Sequence, residues 1–203
     1  MLGAVVEKIN QALFLFLNAS EHPSVALVML AQGLADYAIW IAPAVLILGW
    51  LRGNESIRRL MLEATASGLA ALLINQMIGL VWQHPRPFMM GLGHTLMSHV
   101  ADSSFPSDHL TLLWAVSFSF LMHRRTRAAG ATLALLGLPI AWARIYLGVH
   151  FPLDMAGAAM VAGFSAWLCA REGYRLVEPA LRLITAVYRV LFAPFIRRGW
   201  MKQ

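Results

Sequence analysis

The sequence predicts an all-α fold: a polytopic transmembrane helix bundle of five or six spans with interfacial amphipathic helices beside it. Three observations predict it. Hydrophobic residues make up 59% of the chain and charged residues 13%, with a mean hydropathy of +0.64, far from the usage of a soluble domain. Apolar stretches recur at 24–51, 61–82, 108–123, 128–147 and 153–171, most of them long enough for a tilted spanning helix. The basic residues sit in short segments beside these stretches: Arg52, Arg58 and Arg59 in one, Arg124, Arg125 and Arg127 in another, and Arg197, Arg198 and Lys202 in the tail.

Taken in order, the segment from Val5 to Leu17 mixes Glu7, Lys8, Asn10 and Gln11 with Leu13, Phe14, Leu15 and Phe16. That pattern fits an amphipathic interfacial helix or a short sixth span. It does not fit a cleavable leader, because the apolar run follows an acidic residue and no small-residue cleavage site comes after it. The five apolar stretches supply the spans. Beyond them, 174–193 carries Arg175, Arg182 and Arg189 seven apart among Leu, Ile and Val, the spacing of a second interfacial helix. No linker, low-complexity tract or repeat divides the chain, so residues 1–203 are expected to form a single membrane-embedded domain.

A net charge of +6 and a pI near 10.2 would fit nucleic acid only if the charge formed a patch. Its placement between apolar stretches fits the positive-inside rule instead, so the partners expected are membrane lipids and no nucleic acid. The arginine-rich loops are then cytoplasmic, and the segments 83–107 and 148–152 meet on the external face. Cys169 lies alone in an apolar run, which excludes an intramolecular disulfide and makes it a packing residue.

The two external segments carry the most unusual polar residues of the chain. Phe105, Pro106, Ser107, Asp108 and His109 lead straight into an apolar stretch. Pro and Ser there mark a helix start whose first-turn amides can face an anion. The second segment runs from Arg144 through Gly148 and His150 to Pro152 and Asp154, again with a proline that can open a helix, so that two helix N-termini would face one site. A charge at the end of a span calls for an anionic partner, and a guanidinium fork suits phosphate. Asp154 lies four residues beyond His150, within reach of one imidazole nitrogen, so that the other nitrogen would present a lone pair. An ion pair that only joins two spans remains the plain alternative. Prolines on both sides of Arg86 impose extended backbone, which can aim the guanidinium inward or leave it as a headgroup contact.

Together Arg86-Pro87, Pro106-Ser107-Asp108-His109 and Arg144, His150 and Asp154 resemble the tripartite signature of the type 2 phosphatidic acid phosphatase family, in the family's order and with the last motif's spacing intact. The variants His84-Pro85-Arg86-Pro87-Phe88 and Pro-Ser-Asp-His, and the basic ending from Phe195 to Met201, resemble its undecaprenyl-diphosphatase branch, which includes bacitracin-resistance enzymes. Three positions depart from the family pattern: Gly79 stands where the family has lysine, Ala143 where it has serine, and Asp108 where it has glycine.

The resemblance implies a metal-free phosphoryl transfer with no cofactor: His150 as nucleophile, Asp154 orienting it, and His109 as acid and then base. Arg86, Ser107, Arg144 and backbone amides near Gly148 would hold the phosphate, with Asp108 beside them and His84 partly replacing the lysine. No HExxH, paired cysteines or carboxylate triplet offers a metal site. The implied substrate is a polyprenyl diphosphate on the external face of a bacterial inner membrane, in lipid-carrier recycling for peptidoglycan. Two other functions stay open: another lipid-phosphate reaction at the same site, on phosphatidylglycerolphosphate or lipid A, and a non-catalytic lipid carrier. The sequence carries no signal for oligomeric state. His99 and Asp102 could reach a second phosphate, while His22, His94 and His123 fit loop or interface roles. Asp36 at membrane depth is a site candidate, a helix break or an interhelical contact, and Asn75 and Gln76 fit hydrogen bonds between spans.

Overall fold

The computed structural model describes residues 2–197, and every described regular element is helical. The basic ending named above therefore lies partly outside the described residues, from Arg198 onward. Helix α1 (Leu2–Leu17) is followed by α2 (Val25–Tyr37), a 3₁₀ turn (Ala38–Trp40) and α3 (Ile41–Arg52). The last three run on as one segment of 28 residues, interrupted by the 3₁₀ turn. The break precedes Pro43, which cannot donate to the carbonyl of Ile39 and so favours a tightened turn there.

Helix α4 (Glu55–Val81) starts at Asn54, whose side chain accepts from Ile57 N at 3.1 Å, a capping arrangement that satisfies one orphan amide. Its 27 residues rise about 40 Å, enough to cross a bilayer. Helix α5 (Asp108–Leu121), helix α6 (Arg127–Tyr146) and helix α7 (Pro152–Glu172) complete the bundle.

Four segments are long and apolar enough to span: Val25–Arg52, Glu55–Val81, Arg127–Tyr146 and Pro152–Glu172. The stretch 108–123 is a correction to the expected lengths, because α5 has only 14 residues, a rise of about 21 Å against ~30 Å of hydrocarbon. It can be short because it is interior. Helices α4, α6 and α7 pack around it, burying Leu110, Leu113, Trp114, Val116, Ser117 and Phe120 from several sides.

Small residues let these helices approach, and serine hydroxyls tie them. Ser67 Oγ donates to the Ala115 carbonyl (3.3 Å), Ser117 Oγ to Gly130 (2.7 Å), and Ser165 Oγ to Ser67 (2.7 Å).

The two amphipathic helices cap opposite ends. Helix α1 touches one end along most of its length: Glu7 meets His84, Asn10 Oδ1 accepts from Leu153 N, Phe14 packs edge-on to Phe151, and Asn18 bonds the carbonyls of His94 and Tyr146. Successive turns of α1 all meet one end of the bundle, an arrangement that fits the interfacial alternative for 5–17. Helix α8 (Tyr174–Leu191) lies at the other end, where Arg59 pairs with Glu178 at 2.8 Å and the buried Arg58 guanidinium stands 4.4 Å from the Tyr188 ring. A short α9 (Ala193–Arg197) follows.

Candidate functional site

At the end capped by α1, three chain segments converge: the residues after α4, the start of α5, and the junction between α6 and α7. They enclose a cavity of about 540 Å³ lined by Arg86, His99, His109, Arg144 and His150 among others.

The junction supplies the centre. Helix α6 ends at Tyr146, and Gly148 turns the chain with φ +82°. A side chain there would also run into the carbonyl of His94, so glycine is required on two counts. Pro152 then opens α7, and Asp154 in its first turn accepts from Phe151 N at 2.7 Å. The same oxygen, Oδ2, faces His150 Nδ1 at 3.1 Å and accepts from the hydroxyl of Ser104. Three donors on one carboxylate oxygen fix the imidazole with its proton on Nδ1 and its lone pair on Nε2.

That lone pair faces the cavity cations. Arg86 Nη1 stands 3.1 Å from His150 Nε2 and Arg144 Nη2 stands 3.4 Å from it. Burial first, then the positive charge of Arg144 and Arg86, holds the His150 imidazole well below its ordinary range, so it is neutral at physiological pH.

Arg86 is held in the extended backbone its flanking prolines predict, at φ −75° and ψ 157°. It donates to Asp102 Oδ1 (2.8 Å), to the Val149 carbonyl (2.9 Å) and to the Ser103 carbonyl (3.2 Å). Arg144, fully buried in the last turn of α6, reaches His99 Nε2 at 3.0 Å. An arginine can only donate, so His99 Nε2 accepts and its Nδ1–H points to the Val100 carbonyl at 3.1 Å. Burial, then Arg86, lowers the His99 pKa, which keeps that acceptor available.

Helix α5 begins at Ser107, and half-buried His109 lies in its first turn on the cavity wall. Ser107 Oγ is buried without a hydrogen-bond partner among the described residues. No first-turn amide of α5 has a protein acceptor among them either. A buried hydroxyl with no protein partner beside free helix amides has the chemistry of an anion cradle.

The structure thus brings together His109, Arg144, His150, Asp154 and Arg86. Four expectations need correction. Gly148 has no free amide, since its N–H donates to Ile145 O (3.0 Å) and that of Val149 to Arg144 O (3.2 Å); its part is the turn. The N-terminus of α7 is not open to an anion, because Leu153 N is taken by Asn10 (3.1 Å) and Phe151 N by Asp154. The Asp108 carboxylate is not a phosphate contact: it faces Asn75 (2.8 Å) and Gln76 (3.4 Å), which neutral amides can satisfy and a phosphate would repel. His84 lines the cavity, yet its Nε2 stands 3.3 Å from Glu7 Oε2, so it is not a free cation in place of the lysine. Around Gly79 the wall is formed by the neutral Gln76 and Gln83.

Ser104 was not readable from the sequence. In Ser103-Ser104-Phe105 nothing separates it from a loop serine, and only the approach of α7 makes it a donor to Asp154. Asp36 is exposed on α2, one residue beyond Ala35, whose carbonyl lies 3.5 Å from Arg144 Nη1. His123 pairs with Glu63 at 2.7 Å at the opposite end of the bundle, clear of the cavity.

Comparison with known proteins gives the family and the fold. Residues 60–177 match the family model described as the PAP2 superfamily. The chain is 34% identical to YbjG of Escherichia coli (strain K12) over 200 residues, covering 98% of this chain and 100% of that one. It is 35% identical to undecaprenyl-diphosphatase BcrC of Bacillus subtilis (strain 168) over 90% of this chain and 93% of that protein. Among solved structures, Aquifex aeolicus LpxE superposes with a TM-score of 0.66 at 23% identity, over 80% of this chain and 95% of that one.

Proposed function

This chain belongs to the PAP2 superfamily, and from that premise we propose that it is an undecaprenyl-diphosphate phosphatase working through a phosphohistidine. The observation that carries the reading is His150, locked by Asp154 on one nitrogen and faced by Arg86 and Arg144 on the other, at the edge of an open cavity. The relative named for that activity, BcrC of Bacillus subtilis, supports the choice of substrate.

In the first step the Nε2 lone pair attacks the terminal phosphorus. The bond to the bridging oxygen breaks; His109, whose pKa burial and then Arg144 lower to about 3, takes up a proton as the substrate's negative charge enters and gives it to that oxygen, so polyprenyl monophosphate leaves. Arg86 and Arg144 exchange their contact with Nε2 for contacts with the equatorial phosphoryl oxygens, where charge builds up. The Ser107 hydroxyl and the free α5 amides complete the cradle. In the second step His109 takes a proton from water, which attacks phosphorus. The P–N bond breaks, and inorganic phosphate leaves with His150 neutral again.

Purified protein given polyprenyl diphosphate, phosphatidylglycerolphosphate and phosphatidate in excess chelator should release phosphate from the polyprenyl diphosphate with a kcat/KM about tenfold or more above the others. Preference for phosphatidylglycerolphosphate would reassign the substrate. Activity lost in chelator and restored by magnesium would overturn the metal-free mechanism.

The proposal includes one domain over 1–203 and an inner-membrane location with the site facing the periplasm. Its support is the charge at the other end, where Arg59, Arg124 and Arg125 line a separate cleft and Arg52 and Arg127 lie nearby. In a Cys169→Ala background, Ser98→Cys should react with an impermeant maleimide in intact spheroplasts, whereas Arg125→Cys should react only after lysis. The reverse pattern would put the site in the cytoplasm.

A further inference from the structure

A second, apolar cavity of about 280 Å³ lies between α1 and the bundle. Leu2, Gly3 and Val6 of α1 form one side, and Trp82, Phe105 and Leu153 the other. His84 and Phe105 line both this slot and the polar cavity, so the two spaces meet at those side chains.

Most of the carboxylate and amide oxygens at the slot are engaged within the protein. Glu7 faces His84, Asn10 accepts from Leu153 N, and Asp154 holds His150 and Ser104. The rest of the lining is mostly hydrocarbon, with the Trp82 and Phe105 rings 5.1 Å apart at one wall. The other faces of α1 expose Val5, Ile9, Leu13 and Phe16, a stripe at helical spacing suited to the boundary between headgroups and acyl chains. The slot therefore opens at the depth where a lipid tail begins.

Resting on the phosphatase reading, we infer that this slot binds the first isoprene units of the substrate. A prenyl diphosphate is hydrocarbon from its first carbon, so with its phosphates beside Arg86 and Arg144 its chain can pass Phe105 without burying a polar atom. The volume is below that of a pocket for a whole drug-sized ligand, so only the head of the chain is held and the rest lies in the bilayer.

The test compares farnesyl diphosphate with p-nitrophenyl phosphate, which has no chain, in the full-length protein. Val6→Trp and Gly3→Trp fill the slot; Val5→Trp, on the same helix but outside the slot lining, is the control. The ratio of kcat/KM for farnesyl diphosphate to that for the aryl phosphate should fall about tenfold or more in the slot variants and stay at the wild-type value in Val5→Trp. Aryl phosphate turnover in each preparation reports a folded site. An unchanged ratio in the slot variants overturns the inference and leaves the phosphatase reading standing, whereas a wild-type protein that hydrolyses neither compound overturns both.

Discussion

His150→Ala should lower turnover by roughly 10⁴-fold or more and should trap no phosphoenzyme from any substrate, whereas His109→Ala should accumulate one. Both variants look dead in a steady-state assay, so the leaving group has to separate them. With a lipid diphosphate the departing phosphate gains from a proton, and His109→Ala is slow in both steps. With an activated aryl phosphate the leaving oxygen needs little protonation, so the first step survives in part. The second step still lacks a base for water. Acid-labile phosphate should therefore build up on His109→Ala and never on His150→Ala. Covalent phosphate on His150→Ala, or on neither variant while the wild type turns over the aryl ester, would reverse or remove these roles.

Neighbouring donors sharpen the comparison. Arg86 and Arg144 approach the same nitrogen that is to be phosphorylated, so removing either leaves the nucleophile in place but withdraws charge from the phosphoryl oxygens. Loss of one such donor typically costs ~3 to 4 kcal/mol of barrier, less than loss of the nucleophile itself.

The sequence revealed the parts of this site that lie close along the chain or at helix ends. His150 and Asp154 are four residues apart on either side of a proline, and that spacing alone placed a carboxylate on the imidazole. Arg86 between two prolines could only be extended, and it is. Contacts made between distant segments were not legible. Ser104 reaches Asp154 across 50 positions, and Glu7 reaches His84 across 77; no local pattern records either. The free amides expected at α7 and near Gly148 failed for the same reason. A proline or glycine marks where a helix starts or a chain turns, but which acceptor then takes the amide depends on what packs there. For Leu153 that acceptor is Asn10, 143 residues away. The shortness of α5 also escaped notice, because hydropathy reads the same for a buried helix and a spanning one. In 5–17, composition allowed two positions in the membrane, and the contacts of Glu7, Asn10, Phe14 and Asn18 with one end of the bundle fit the interfacial one.

Asp154→Asn should slow phosphoenzyme formation by roughly 10³ to 10⁴-fold while leaving the fold intact, a separation that follows from how its one oxygen is used. Phe151 N, His150 Nδ1 and the Ser104 hydroxyl all converge on Oδ2. An asparagine that puts its carbonyl oxygen there can accept from all three, because the alternative amide orientation would aim N–H at three donors. The imidazole tautomer and the start of α7 are then preserved, and only the negative charge is lost. That charge matters when Nε2 bonds to phosphorus and the ring becomes cationic, so the cost falls on the chemical step rather than on the resting structure. Asp154→Ala differs, since it leaves three buried donors unpaired at about 1 to 3 kcal/mol each, and it should lower the melting temperature in detergent as well as the rate. Ser104→Ala removes one donor and no charge, and its effect should be the smallest of the three. Rapid-quench trapping from an aryl phosphate, with melting curves on the same samples, measures both quantities. Phosphorylation of Asp154→Asn at the wild-type rate would reduce Asp154 to a helix cap and leave His150 without an orienting base.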